Sequence, residues 1–367
     1  CRCLMTSDLL AVCVSHTVPV VPRSWYDLPI YQGNQFRDEP THVAHLAPGW
    51  DRLTDVAYGM AGTYAVPQLL MLGALNPRWI SLQNHRKAVV GNDIGTPSPT
   101  QPQYHEVDPD LAARLVPELR PRHGFDFLLP PVIRFQISVA EHYAAVHIGA
   151  DLLEYLELGL ELDVLTEEQA SWLWNTNLLC VGGGELGTYP TEWIVPTLRR
   201  LSKLGRAFLA VNAERVRGYD PHQVRCIAFL SERMGSALAL WEVNRRYGGY
   251  PPEVFGRSVY HVPEGQHYTI GVVNELVTTG VEHAFPDDRA GEIRIELGTK
   301  DGQAELLVAD NGVGLAADFD LTKVKSLGLQ LVPLLVEQLG GTFTVEPGPG
   351  ARFCLRFPSD APRRAAS

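Results

Sequence analysis

Between Asn274 and Leu329 three short segments follow one another in an order that few folds can accommodate. The first, NELVTTGVEHAF (Asn274–Phe285), has helical spacing. Glu275, Thr279 and the Glu282–His283 pair stand at i, i+4 and i+7/8, so they project from one face. The second, DNGVG (Asp310–Gly314), directly follows a strand-like run. A carboxylate at a strand end can accept a hydrogen bond from an exocyclic amine, and two glycines let backbone approach a flat base. The third, KSLGLQLV, enters a helix at Ser326 to Leu329, where Gly328 permits close approach and free helical N–H groups suit phosphate oxygens. Taken singly, Asp-x-Gly-x-Gly is usually only a turn and Glu275 only a solvated helix residue. Their order and spacing, closed by a last strand reading GPGARFCLRFP, point to one nucleotide-binding α/β domain over residues 255–360.

The connecting segments fit that reading. GEIRIELGTKDGQAELLVAD alternates apolar and polar residues about a Lys-Asp-Gly turn and predicts a β-hairpin. LGLQLVPLLVEQLGG is helical, and TFTVEPGPGARFCLRFP supplies two final strands around a Pro-Gly turn. Upstream, TEWIVPTLRRLSKLGRAFLAVNAERVRG and DPHQVRCIAFLSERMGSALALWEVNRRYGG read as two long helices. Leu198, Leu201, Phe208 and Val211 stripe the first; Val224, Phe229, Ala237, Leu240 and Val243 stripe the second. Gly218 closes one, and Asp220–Pro221 opens the other with an N-cap and a proline at N1. So short a connection predicts an antiparallel hairpin over 191–250. One such hairpin leaves its stripe half covered, so pairing with a second copy, a homodimer, is expected.

Residues 1–190 are read as a mixed α/β input region of unknown fold. Asn92–Pro109 is rich in loop residues and is expected to be an exposed loop or linker, followed by a short helix entered through Asp108–Pro109. VIRFQISVAEHYAAVHIGADLLEYLELGLEL mixes a strand-like start with a long helical run. Thr166 caps the next helix, with Glu168 and Gln169 near the reciprocal position, and Gly182–Gly184 ends that unit. Trp25, Tyr58, Trp79, Trp172 and Trp174 are expected in the core rather than around a ligand. The overall fold class is therefore multidomain α+β.

The last-domain motifs resemble the GHKL ATPases, and more narrowly the ATP-binding domain of sensor histidine kinases in the branch neighbouring the HWE kinases. The resemblance runs from about Tyr268 to Pro358 and rests on the Asn-Glu-Leu-Val helix, on DNGVG and on SLGL with its short preceding loop. It implies that Asp310 binds the adenine amine and that Gly312 and Gly314 shape the base pocket. Ser326, Gly328 and Leu329 would face the phosphates, and Glu275 would polarise the attacking group or support the metal shell. The sequence departs from the pattern where the family ligates Mg2+ through Asn, since it has Thr279, and where the family usually has Lys, since it has Glu282. A threonine hydroxyl reaches less far than an amide and lacks the carbonyl oxygen that hard Mg2+ favours.

The resemblance also implies a phosphoaccepting histidine on the first hairpin helix, near Leu198, and that helix has none. His222 stands at the wrong end of the hairpin and is expected as an exposed first-turn residue. His142 and His147 are the other candidates, with packing as their plainer reading. Two readings stay open. One is a histidine kinase that moves the γ-phosphate of ATP to a histidine and on to a response regulator. The other is a pseudokinase or scaffold that binds a response regulator or a partner kinase. A serine kinase acting on an anti-sigma partner shares the domain but fits the hairpin poorly.

The net charge of -11 argues against a nucleic-acid binder and against docking on anionic membranes. No apolar run approaches the roughly 20 residues of a spanning helix. The N-terminal stretch lacks a basic n-region and a cleavage site, with Met5 a candidate start. Six scattered cysteines, Cys1-x-Cys3 the only close pair, fit a reduced, cytoplasmic setting.

Overall fold

The computed structural model describes residues 8–98 and 101–262, and, beyond these, 273, 276–277, 284–286, 289, 291–300, 303–315, 332, 336, 340–346 and 350–358. The chain divides into two compact units, Cys1–His261 and Val262–Ser367. The first unit thus contains both the expected input region and the expected hairpin, so the boundaries at 190 and 250 do not appear as breaks between compact units.

The first unit is built on an eight-stranded sheet. Its strands are β1 (Leu9–Ser15), β2 (Leu28–Tyr31), β3 (Trp79–Asn84), β4 (Lys87–Val90), β5 (Thr96–Pro97) and β6 (His105–Val107). A separate two-stranded ladder joins β7 (Val132–Arg134) to β8 (Leu178–Cys180). The large sheet is completed by β9 (Gly187–Pro190) and β10 (Arg257–His261), in the order β2-β1-β3-β4-β10-β6-β5 with β9 alongside β3. Strands β2 and β3 both run parallel to β1. The run LLAVCVS of β1 is buried on both faces, as a central parallel strand requires. Leu10, Val12 and Val14 join the main core, and Ala11 and Cys13 pack on the other side with Trp25, Ala88 and Val90. Asn92–Pro109 is therefore not a linker. It supplies β5 and β6 and buries Tyr104 and Val107; strands of two and three residues hold too few apolar positions to leave a periodic signal.

Five short helices, α1 (Val43–Leu46), α2 (Pro48–Asp51), α3 (Thr54–Ala57), α4 (Gly59–Thr63) and α5 (Val66–Gly73), connect β2 to β3. Asp108 caps α6 (Pro109–Ala112), accepting from the amides of Asp110 and Leu111. The next helical run is broken into α7 (Val139–Val146) and α8 (Gly149–Glu161) because His147 is extended. Thr166 and Gln169 form the expected reciprocal cap of α9 (Glu167–Asn175).

The two long helices are α10 (Thr191–Arg217) and α11 (Cys226–Tyr247). The Asp220 carboxylate accepts the amides of His222 and Gln223, but the first turn after it is a 3-10 turn. On α10, Leu198, Leu201, Leu204 and Phe208 are fully buried, whereas Val211 is 73% exposed and stands off the stripe. The helix bends at Asn212, whose side-chain amide donates to the Phe208 carbonyl. Helix α11 is buried nearly all round, Ile227, Leu230, Met234, Leu238, Leu240 and Val243 included. It packs on α3, α4, α8, α9, α10 and β8. Periodicity foretold that the stripes are buried but not against what; they are covered within the chain, so the pair needs no second copy to bury them.

One backbone contact sets how closely α11 approaches the sheet. The turn Gly182–Gly184 lies on Gly235 and Ser236: a Cβ at Gly183 would stand 2.5 Å from Ser236 Cα, and one at Gly235 would stand 2.4 Å from the Gly183 carbonyl oxygen. Gly182 and Gly184 have φ of +80° and +82°, which only glycine adopts readily. The Ser236 hydroxyl accepts the buried Cys180 amide at 2.8 Å. The obstructing atoms are backbone and cannot swing aside, so Gly235→Ala is expected to destabilise the protein by about 1–3 kcal/mol. Urea unfolding would read this as a lowered midpoint with an unchanged slope.

The second unit contains the antiparallel sheet β11-β12-β14-β13: β11 (Ile293–Lys300), β12 (Gln303–Asp310), β13 (Thr342–Glu346) and β14 (Arg352–Pro358). The β11–β12 hairpin closes at Lys300 opposite Gln303, the register expected of the Lys-Asp-Gly turn. Leu306, Val308, Phe353 and Leu355 pack with Leu276, Val332 and Val336, giving a sheet with helical residues on its core face. Among the described residues no helix is long and apolar enough to cross a membrane. The described cysteines, Cys13, Cys180, Cys226 and Cys354, are free and buried; Cys1 and Cys3 lie outside the described residues.

Candidate nucleotide site

Strand β12 ends at Asp310, and the chain turns at once through Asn311, Gly312, Val313 and Gly314. The turn is clamped from both sides. One oxygen of the Asp310 carboxylate, Oδ1, accepts the amides of Gly312 (2.9 Å) and Ala351 (3.2 Å). The Asp310 amide in turn donates to the Ala351 carbonyl. On the other flank the Val313 amide donates to the Ala284 carbonyl, and the Asn311 side-chain oxygen accepts the Glu292 amide at 2.8 Å.

Two glycines make this clamp possible. A Cβ on Gly312 would lie 2.2 Å from the Ala284 carbonyl oxygen, and one on Gly350 would lie 2.0 Å from that of Asp310. Gly314 has a φ of +74°, which lets the chain leave the turn. The effect is to fix the Asp310 carboxylate through one oxygen. Among the described residues the other, Oδ2, accepts no bond, and a half-buried carboxylate oxygen held in this way can receive an N–H from a bound base.

The structure thus brings Asp310, Gly312 and Gly314 into one turn. Glu275, Thr279, Glu282, Ser326, Gly328 and Leu329 lie outside the described residues. Sequence reading missed Gly350, Ala284 and Asn311. Gly350 is the second glycine of the GPGARF segment already singled out, and Ala284 sits inside the first motif, but only the structure shows that Gly350 meets Asp310 and that Ala284 meets Gly312 and Val313.

Residues 269–361 match the family model of histidine kinase-, DNA gyrase B-, and HSP90-like ATPases. The last quarter of this chain is a domain of that family. Over 68 residues it is 41% identical to the sensor histidine kinase PdtaS of Mycobacterium tuberculosis, which covers 18% of this chain and 14% of that protein. Over 78 residues it is 32% identical to blue-light-activated histidine kinase 2 of Erythrobacter litoralis, covering 21% and 22%. The chain therefore spans well under a third of the length of these curated relatives. Among solved structures, the apo bifunctional glycosyltransferase WbbM is 10% identical over 76% of this chain and 53% of its own, with a TM-score of 0.49.

The histidines weighed as phosphoacceptors have plain structural surroundings. His142 stacks on Phe135 at 4.0 Å, and His147 stacks on Phe229 at 4.0 Å in a cluster that includes His222. Desolvation, with Arg233 nearby, lowers the His147 imidazole to about 4. His222 is exposed in the first turn, as expected.

Because the ATPase-family turn depends on a missing side chain at 312, Gly312→Ala is expected to force it open. Amide exchange at Val313 and Ala351 should then accelerate by at least about tenfold, equivalent to roughly 1.4 kcal/mol, while the β11–β12 ladder stays protected.

Proposed function

We propose that this chain is a histidine-kinase-like signalling protein whose C-terminal domain binds ATP. The supporting observation is the Asp310 carboxylate, oriented by two backbone amides and backed by Gly312 and Gly350. In this reading Oδ2 accepts the adenine amine and the glycine turn lies along the base. Ser326, Gly328 and Leu329 would offer backbone to the phosphates, and Glu275 would orient the attacking group. Catalysis would then consist of positioning and charge neutralisation. The γ-phosphate would pass to a histidine and on to a response-regulator aspartate, in a cytoplasmic setting.

A second reading, a catalytically impaired scaffold for a response regulator or partner kinase, is favoured by two observations. Leu198, at or beside the position the resemblance assigns to the acceptor, is fully buried in the first unit. Thr279 replaces the amide expected to ligate Mg2+. With α10 and α11 in a core, the acceptor of an active kinase would have to come from elsewhere, such as a partner protein.

Incubation with γ-labelled ATP and Mg2+ separates the two. Acid-labile, base-stable label on the chain or an added partner supports the kinase reading, and none on either supports the scaffold. Asp310→Asn keeps the size of the side chain but turns an acceptor toward a donor, and it is expected to weaken ATP binding by at least about tenfold. Unchanged affinity in a filter-binding assay would count against the site itself. Thr279→Asn is expected to strengthen the Mg2+ dependence of binding.

A further inference from the structure

The first unit carries ionisable side chains that the kinase-like reading does not use. Its strand order β2-β1-β3, all parallel, makes β1/β3 a topological switch point, where the connections diverge and leave a crevice beyond the carboxyl ends of the strands. The first side chains past those ends include His16 and His85, whose rings meet edge to face at 4.6 Å.

Lys87 lies on the helix-covered side of this crevice. It pairs with Asn84 across the β3–β4 turn and shares a strand face with Val89, which packs on Leu128 and Leu186. Its Nζ stands 4.4 Å from the ring centre of Tyr104 and 5.6 Å from that of Tyr260. Glu185 precedes Leu186 and ends the glycine turn, its amide donating to the Gly182 carbonyl. Its carboxylate lies over bare backbone at Gly59, where a Cβ would come 1.7 Å from Oε1. Glu232 reaches the same turn from α11, accepting the Gly182 amide at 2.7 Å and pairing with Arg233.

Glu232 is therefore satisfied, but Glu185 and Lys87 are not. Among the described residues the Glu185 carboxylate accepts no hydrogen bond, and Lys87 has no ion pair, only the two tyrosine faces. Both side chains are half-buried, where unpaired charge is costly unless a ligand meets it. Desolvation, then Glu232, pushes the Glu185 carboxyl up to about 7, with Lys87 acting against the shift. Desolvation also lowers the Lys87 ammonium from its ordinary value.

We propose that Lys87 and Glu185 form a second binding site, separate from the Asp310 turn, for a phosphate ester of a polyol. Lys87 takes the phosphate as a compact point charge, and Glu185 accepts a hydrogen bond from a ligand hydroxyl. The ionised carboxylate is the better acceptor, so affinity should rise as pH passes from about 6 to about 8.

Calorimetry on the full chain with glucose 6-phosphate and glycerol 3-phosphate, against glucose, glycerol and inorganic phosphate, tests this. The esters are expected to bind at millimolar concentration or below, and Lys87→Met or Glu185→Gln to weaken them by about tenfold or more. Glu185→Gln should also flatten the rise between pH 6 and pH 8, leaving only the part set by the ester's own second ionisation at about pH 6. Gly59→Ala, which pushes only the flexible end of Glu185 aside, is a milder variant whose unfolding midpoint should hold while ester binding falls. The proposal is overturned if neither ester binds at about 10 mM, or if inorganic phosphate binds as well as the esters. It is equally overturned if binding survives Lys87→Met and is lost instead on Asp310→Asn, which would place the ester in the nucleotide site.

Discussion

Helix α11 is the element on which the first unit depends. Buried on nearly every side, it touches the short helices after β2, the α8–α9 layer, α10 and the small strand β8. A helix in that position has no solvent face to spend on charge, and its polar residues are accordingly engaged. Ser231 bonds the Tyr64 hydroxyl, Ser236 accepts a strand amide, and Glu242 is paired with Arg245 and Arg246. Gly235 lets the glycine turn come within backbone contact, and that same turn presents Glu185 and anchors Glu232. Packing of the core and placement of the ionisable cluster are thus consequences of one close approach.

The second unit solves a smaller problem by similar means. Glycines at 312 and 350 remove the side chains that would separate the end of β12 from its neighbours, and the Asp310 carboxylate closes the gap by bonding amides on both sides. An aspartate held in this way loses the freedom to turn toward water. That pre-organisation is what a base-recognition carboxylate needs, since the cost of ordering it is met in folding rather than on binding.

Legibility in the sequence followed the range of the interactions. Local signals carried far: the reciprocal cap of Thr166 and Gln169, the Asp108 cap, and the β11–β12 register all arise from residues within a few positions of one another. The buried face of α10 was legible as well, except at exposed Val211, whereas on the second helix Ala237, Leu240 and Val243 are buried but Phe229 is half-buried and Val224 lies in the turn before α11. The short strands β5 and β6 were hidden because two or three residues give no period to read. The partner of the helical stripes was also hidden, because burial of a face carries no label saying what covers it.

By itself the sequence marked residues 269–361 as similar to the histidine kinase-like ATPases and singled out Asp310, Gly312 and Gly314 as one candidate turn. Those residues act through backbone turns encoded within five positions. Only the tertiary structure decided that α10 and α11 are core helices of the first unit, and that the start of β4, which carries Lys87, lies near the turn that carries Glu185 and anchors Glu232. Residues about a hundred positions apart come together there because β4 and β9 both pair antiparallel with β3, and no local pattern records that pairing.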